Sequence, residues 1–95
     1  IYVEQRRQPV PPHEWHYRLS NTERSIIRRL KEAQGEAVTL EELADCVEAP
    51  TPEARIKGLR VHINRLRSKI EPEPNQPQVI MTVRGVGYRM DADVL

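Results

Sequence analysis

The sequence predicts one small α+β domain in which three helices precede a C-terminal β-hairpin. Three observations predict it. Two Ser/Thr-x-x-Glu boxes, Ser20 with Glu23 and Thr39 with Glu42, each open a short run of helically spaced apolar residues. Ile56, Leu59, Ile63, Leu66 and Ile70 then recur at spacings of three and four, the repeat of a helix that buries one face. Finally, the apolar, β-branched QVIMTV of 78–83 is joined by RGVG to YRM at 88–90, the pattern of two strands and a tight turn.

A chain of 95 residues has room for one such domain. Aliphatic residues must build nearly all of its core, since it has no Phe, one Trp and three Tyr. The single cysteine, Cys46, has no partner for an internal disulfide, which fits a reducing compartment. No apolar run approaches the roughly 20 residues that a membrane helix needs, so a cytoplasmic protein without a membrane partner is expected. The chain opens at Ile1 and not at Met, which reads as a piece of something longer.

Residues 1–18 form the least patterned part. Pro9, Pro11 and Pro12 argue against a helix but permit short edge strands around Tyr2–Gln5 and Trp15–Leu19. The first helix should run from about Asn21 to about Ala33, with Ile26, Ile27 and Leu30 as its apolar stripe and Gly35 placed to stop it. Leu40, Leu43, Ala44 and Val47 predict a second, shorter helix, and Glu48–Glu53, with Pro50 and Pro52, a loop. The domain proper spans 19–91, and 92–95 form a tail.

The third helix, 55–70, concentrates the charge. Residues 20–53 carry eight acids and four bases, whereas 54–70 carry six bases and His62 with no acid, in a chain whose formal net charge is +1. Segregation of this kind makes a one-signed local field suited to a polyanion, where an ordinary solvated face mixes signs. Advancing roughly 100° per residue, the face opposite the apolar stripe carries Gly58, Val61, Arg65 and Ser68. Lys57 and Asn64 flank it on one side, His62 and Lys69 on the other, while Arg60 and Arg67 lie nearer the stripe's edges. Arginine, amide and an exposed methyl are what a major-groove reader uses against guanine, adenine and thymine. Val61, Asn64 and Arg65 therefore become candidate base readers, with Lys57, His62 and Lys69 spaced to hold phosphates.

Two short helices ahead of a basic third one suggest a helix-turn-helix. In the hairpin turn Arg84–Gly87, Gly85 and Gly87 can supply positive φ. The turn presents Arg84, which can enter a minor groove, where the potential is most negative.

The motifs VHINRLRSK at 61–69, TVRGVGYR at 82–89 and LSNTE at 19–23 resemble the C-terminal effector domain of OmpR/PhoB-type response regulators. The resemblance covers about residues 19 to 90. It implies a winged helix-turn-helix, here with a reduced N-terminal sheet, that binds double-stranded DNA to regulate transcription within a two-component system. It also implies a monomer alone and a dimer on direct-repeat DNA. Under it, 55–70 is the recognition helix, with Val61, Asn64 and Arg65 toward bases. Lys57, His62 and Arg67 match positions that touch the DNA backbone, Thr82 a phosphate contact at the wing base, and Arg84 the minor-groove arginine.

Departures from the family pattern are specific. Arg60 stands where an acid is usual, which should change base preference or add a phosphate contact. Val47-Glu48 replaces a common tryptophan after the second helix. The loop that follows, through which family members often contact RNA polymerase, is short and proline-bearing. Enzyme readings find little: the prolines oppose a helix that would aim His13 and His16 at one metal, Cys46 lacks a partner marking it as a nucleophile, and no glycine loop precedes a helix to cradle a phosphate. Neither cofactor nor metal is expected. The alternative to DNA binding is a winged-helix module whose basic face meets an acidic protein.

Overall fold

The computed structural model describes residues 10–94. A 3-10 turn at Pro12–Glu14 leads into α1 (Trp15–Arg18), α2 (Asn21–Glu32), β1 (Val38–Thr39), α3 (Leu40–Ala44), α4 (Pro52–Ile70), β2 (Ile80–Val83) and β3 (Gly87–Met90), and a 3-10 turn at Ala92–Val94 follows. The strands form one antiparallel sheet in the order β1-β3-β2.

Caps set the helix starts. Ser20 Oγ accepts from Glu23 N at 3.2 Å while Glu23 Oε1 accepts from Ser20 N at 2.8 Å, a complete capping box. Thr39 Oγ1 accepts from Glu42 N at 3.2 Å and Thr51 Oγ1 from Ala54 N at 3.1 Å. The Thr51 cap, with Pro52 in the first helical position, starts α4 three residues ahead of the predicted 55 and shortens the preceding loop. At the other end of α2, Gln34 and Gly35 both take positive φ, 51° and 93°, and turn the chain away.

The predicted strand at Trp15–Leu19 is overturned: Trp15–Arg18 is a helical turn, and Leu19 alone is extended. Pro12 begins the preceding turn instead of blocking it, since a proline at a first helical position gives up no needed hydrogen bond. The suggested strand at Tyr2–Gln5 lies outside the described residues. The third strand of the sheet comes instead from Val38–Thr39, between the first two long helices, and pairs Val38 with Tyr88 and Thr39 with Gly87. The predicted strand 78–83 narrows to Ile80–Val83.

The core is aliphatic. Ile26 and Leu30 of α2, Leu43 of α3, Leu59, Ile63, Leu66 and Ile70 of α4, and Val79, Ile80 and Met90 beside them are all fully buried, each contributing about 1.5–3 kcal/mol of burial. Trp15 closes one end and donates its indole N–H to the Val10 carbonyl at 2.8 Å. Cys46 is half-buried against this core, and burial pushes its thiol above the ordinary 9.0.

Two contacts fix the frame around α4. A Cβ on Gly58 would lie 2.8 Å from Val47 Cγ1, so this glycine belongs to the α3–α4 packing and not to the outward face where the helical repeat had placed it. Glu71, directly after α4, is buried and accepts from the amides of Gln78, Val79 and Ile80 at 2.8–3.0 Å. One carboxylate thereby joins the end of α4 to the start of β2.

Candidate nucleic-acid interface

The 19 residues of α4 hold one face in the core and leave the opposite one in solvent. Val61, 47% exposed, lies with Asn64, Arg65 and Ser68 along a shallow cleft of about 330 Å³. A valine left this open beside an arginine and an amide gives the face a methyl surface as well as hydrogen-bonding groups. Ser68 is occupied locally, donating to the Asn64 carbonyl at 3.1 Å. The side chains of Asn64 and Arg65 have no internal partner among the described residues.

The six basic residues of 55–70 divide into two groups. Arg55 donates to the Ala49 carbonyl at 3.2 Å. Arg67 donates to the Ile80 carbonyl at 2.9 Å and to Thr82 Oγ1 at 3.0 Å, with its guanidinium 5.5 Å from the centre of the Tyr88 ring. Lys69 pairs with Glu23 at 2.6 Å. Lys57, Arg60 and Arg65, by contrast, are exposed and have no internal partner among the described residues. The interior and the fold's own seams thus account for half of this basic run, and the other half faces outward unpaired.

Four residues marked from the sequence as phosphate contacts, Arg67, Thr82, Lys69 and His62, have side chains engaged or enclosed within the fold. Arg67 and Thr82 are bonded to each other across the seam between α4 and β2. Lys69 reaches back to the N-terminus of α2, where burial raises the Glu23 carboxyl but hydrogen bonds from Lys69 and Ser20 outweigh it and leave it below its ordinary 4.5. His62 is half-buried, and its Nδ1 is enclosed without a hydrogen-bond partner. Glu23, Glu71 and Tyr88, which fix these seams, carried no positional signal in the sequence beyond the capping box.

Beyond β2 the turn closes with Val86 N donating to the Val83 carbonyl at 3.0 Å. Gly85 takes φ 79°, and a Cβ there would meet nothing within 4 Å, so the turn is slim and open. Gly87 does not share that conformation. Its lack of a Cβ serves a close approach instead, since a side chain there would strike the Val38 carbonyl. Leu40 N donates to the Val86 carbonyl at 3.1 Å and ties the turn to the start of α3. Arg84 is exposed at this turn with no internal partner among the described residues.

A family model described as transcriptional regulatory protein, C terminal, matches residues 14–90. The chain belongs to this family. Members of known sequence include a probable transcriptional regulator ycf27 of Cyanophora paradoxa, 40% identical over 75% of this chain and 30% of that protein. The DNA-binding dual master transcriptional regulator RpaA of Synechocystis sp. is 34% identical over 78% of this chain and 31% of that protein. Among solved structures, the response regulator DrrB, a Thermotoga maritima OmpR/PhoB homologue, superposes with a TM-score of 0.64 at 36% identity, covering 77% of this chain and 33% of that one. The chain therefore spans about a third of the length of these relatives. The fold is the winged helix-turn-helix of OmpR/PhoB-type effector domains, with the β2–β3 hairpin as its wing. Among the described residues, no helix is long and apolar enough to cross a membrane.

Proposed function

We propose that this domain binds double-stranded DNA sequence-specifically and regulates transcription, as the effector part of a cytoplasmic two-component response regulator. The observation that supports it best is the exposed face of α4, where Val61, Asn64 and Arg65 stand unpaired beside the free cations Lys57 and Arg60. Arg65 and Asn64 would read purine edges and Val61 a thymine methyl in the major groove. Lys57, Arg60, His62 and Thr82 would hold phosphates, and Arg84 would enter the adjacent minor groove. Arg67 and Lys69 would act on the DNA backbone chiefly by fixing the wing and the recognition helix, because most of their donors are already used within the protein.

The reading extends to a monomer that pairs on tandem half-sites and to a contact with RNA polymerase through the loop between α3 and α4. No enzymatic step belongs to it. Selection of binding sites from a random duplex library, with titration of the winner at two salt concentrations, tests the central claim. A short enriched motif, repeated at about one helical turn, with affinity falling by decades between low and moderate salt, is expected. Absence of enrichment would overturn sequence-specific binding and leave the basic face to an acidic protein partner.

A further inference from the structure

Arg60 stands on the side of α4 that faces the wing. It lines a cleft of about 400 Å³ with Thr82, Arg84 and Val86, and it is absent from the cleft lined by Val61, Asn64 and Arg65. No acidic side chain lines the Arg60 cleft, and neither Arg60 nor Arg84 has an internal side-chain partner among the described residues. Thr82 enters the same cleft with its hydroxyl oxygen accepting from Arg67 Nη2 at 3.0 Å. A guanidinium carries donors alone. The Thr82 hydroxyl proton therefore cannot return that bond and is left for another acceptor.

A helix in the major groove and a hairpin turn in the neighbouring minor groove are separated by one sugar-phosphate strand. In this chain the cleft lies between those two elements, so a strand passing from one groove to the other runs over it. The geometry points to a phosphodiester seat in this cleft, with Arg60 supplying the charge and Thr82, held by Arg67, a directed O–H donor to the same phosphate. The inference rests on the duplex-binding reading, and it assigns Arg60 to the DNA backbone and not to a base.

The test uses the selected duplex with one phosphate at a time replaced by a neutral methylphosphonate. It is titrated with the parent domain, Arg60→Ala, Arg60→Lys and Thr82→Val, each checked for folding by thermal melting. One neutralised phosphate should weaken the parent several-fold, leave Arg60→Ala indifferent and affect Thr82→Val less. Arg60→Ala should also reduce the slope of log affinity against log salt by about 0.9, whereas Arg60→Lys should keep it. If Arg60→Ala stays as sensitive as the parent at every phosphate, or Thr82→Val keeps full sensitivity at the one that responds to Arg60, the shared seat is overturned while duplex binding stands. A parent domain that binds no duplex overturns both.

Discussion

The Lys69 ammonium lies 2.6 Å from one oxygen of the Glu23 carboxylate and 3.0 Å from the other, joining the last turn of α4 to the first turn of α2. Glu23 is 1% exposed and Lys69 37%, so the pair is anchored on the acid. The basic residue nearest the end of α4 thus meets any polyanion with its charge already answered.

Lys69→Ala should therefore change the salt dependence of duplex binding little, while Lys57→Ala should lower its slope by about one. Stability should respond in the opposite order. Losing Lys69 removes the partner of a buried carboxylate and should cost about 1–3 kcal/mol, against less than about 0.5 for Lys57 at an open surface. Equal salt slopes in the two variants would refute this division.

The same pair predicts a pH dependence. The Glu23 carboxyl is held below its ordinary 4.5 in the folded chain, and a carboxyl depressed on folding stabilises the fold above its unfolded value. That contribution is lost as pH falls through the folded value. Thermal melting should show parent stability declining below pH 4.5, with a shallower acid limb in Glu23→Gln, which begins less stable at pH 7. Parallel acid limbs would place the transition on other carboxylates.

Arg67→Ala should cut the link between α4 and the wing. Removing it leaves the Ile80 carbonyl and Thr82 Oγ1 without this donor and should destabilise by about 1–3 kcal/mol. Amide exchange across β2 should quicken while that in α2 stays unchanged. Uniform exchange in both elements would show that the residue does not position the wing.

Base reading and backbone holding separate by sequence dependence. Arg65→Ala should cost about 1–3 kcal/mol and relax preference at one base position, whereas Lys57→Ala should weaken all sequences alike. Quantitative binding to the selected site and its single-base variants measures both. Identical losses across the series would collapse the distinction.

The wing's two glycines should differ. Gly87→Ala drives a Cβ into the backbone of β1 and should cost about 1–3 kcal/mol or more, as overpacking does. Gly85→Ala has open space and should pay backbone strain of about 1–2 kcal/mol. Chemical denaturation orders the two variants, and a milder Gly87→Ala would mean that β1 can move away.

Helices and hairpin were legible because their signals are local. Ser20 with Glu23, the apolar spacing of 56–70 and the RGVG turn each lie within a few residues of what they specify. Val38–Thr39 was not legible, since two residues cannot display an alternating pattern and their pairing depends on a missing Cβ at Gly87. The helical turn at Trp15 was hidden by prolines whose effect depends on position within a turn. The helical repeat placed Arg67 and Lys69 correctly around α4, but long side chains fold back on partners 13 and 46 residues away. Those partners are set by tertiary packing.

Glu71 has a further consequence, for the segment between α4 and β2. Because its carboxylate grips the amides of Gln78, Val79 and Ile80 directly, the number of residues from 72 to 77 does not decide where β2 begins. Doubling a loop's length costs only about 0.6 kcal/mol of closure entropy, and here the Glu71 carboxylate holds both ends together. This segment is accordingly where the domain can accept inserted sequence, so that the loop between α4 and the hairpin is free to diverge while their mutual alignment is kept.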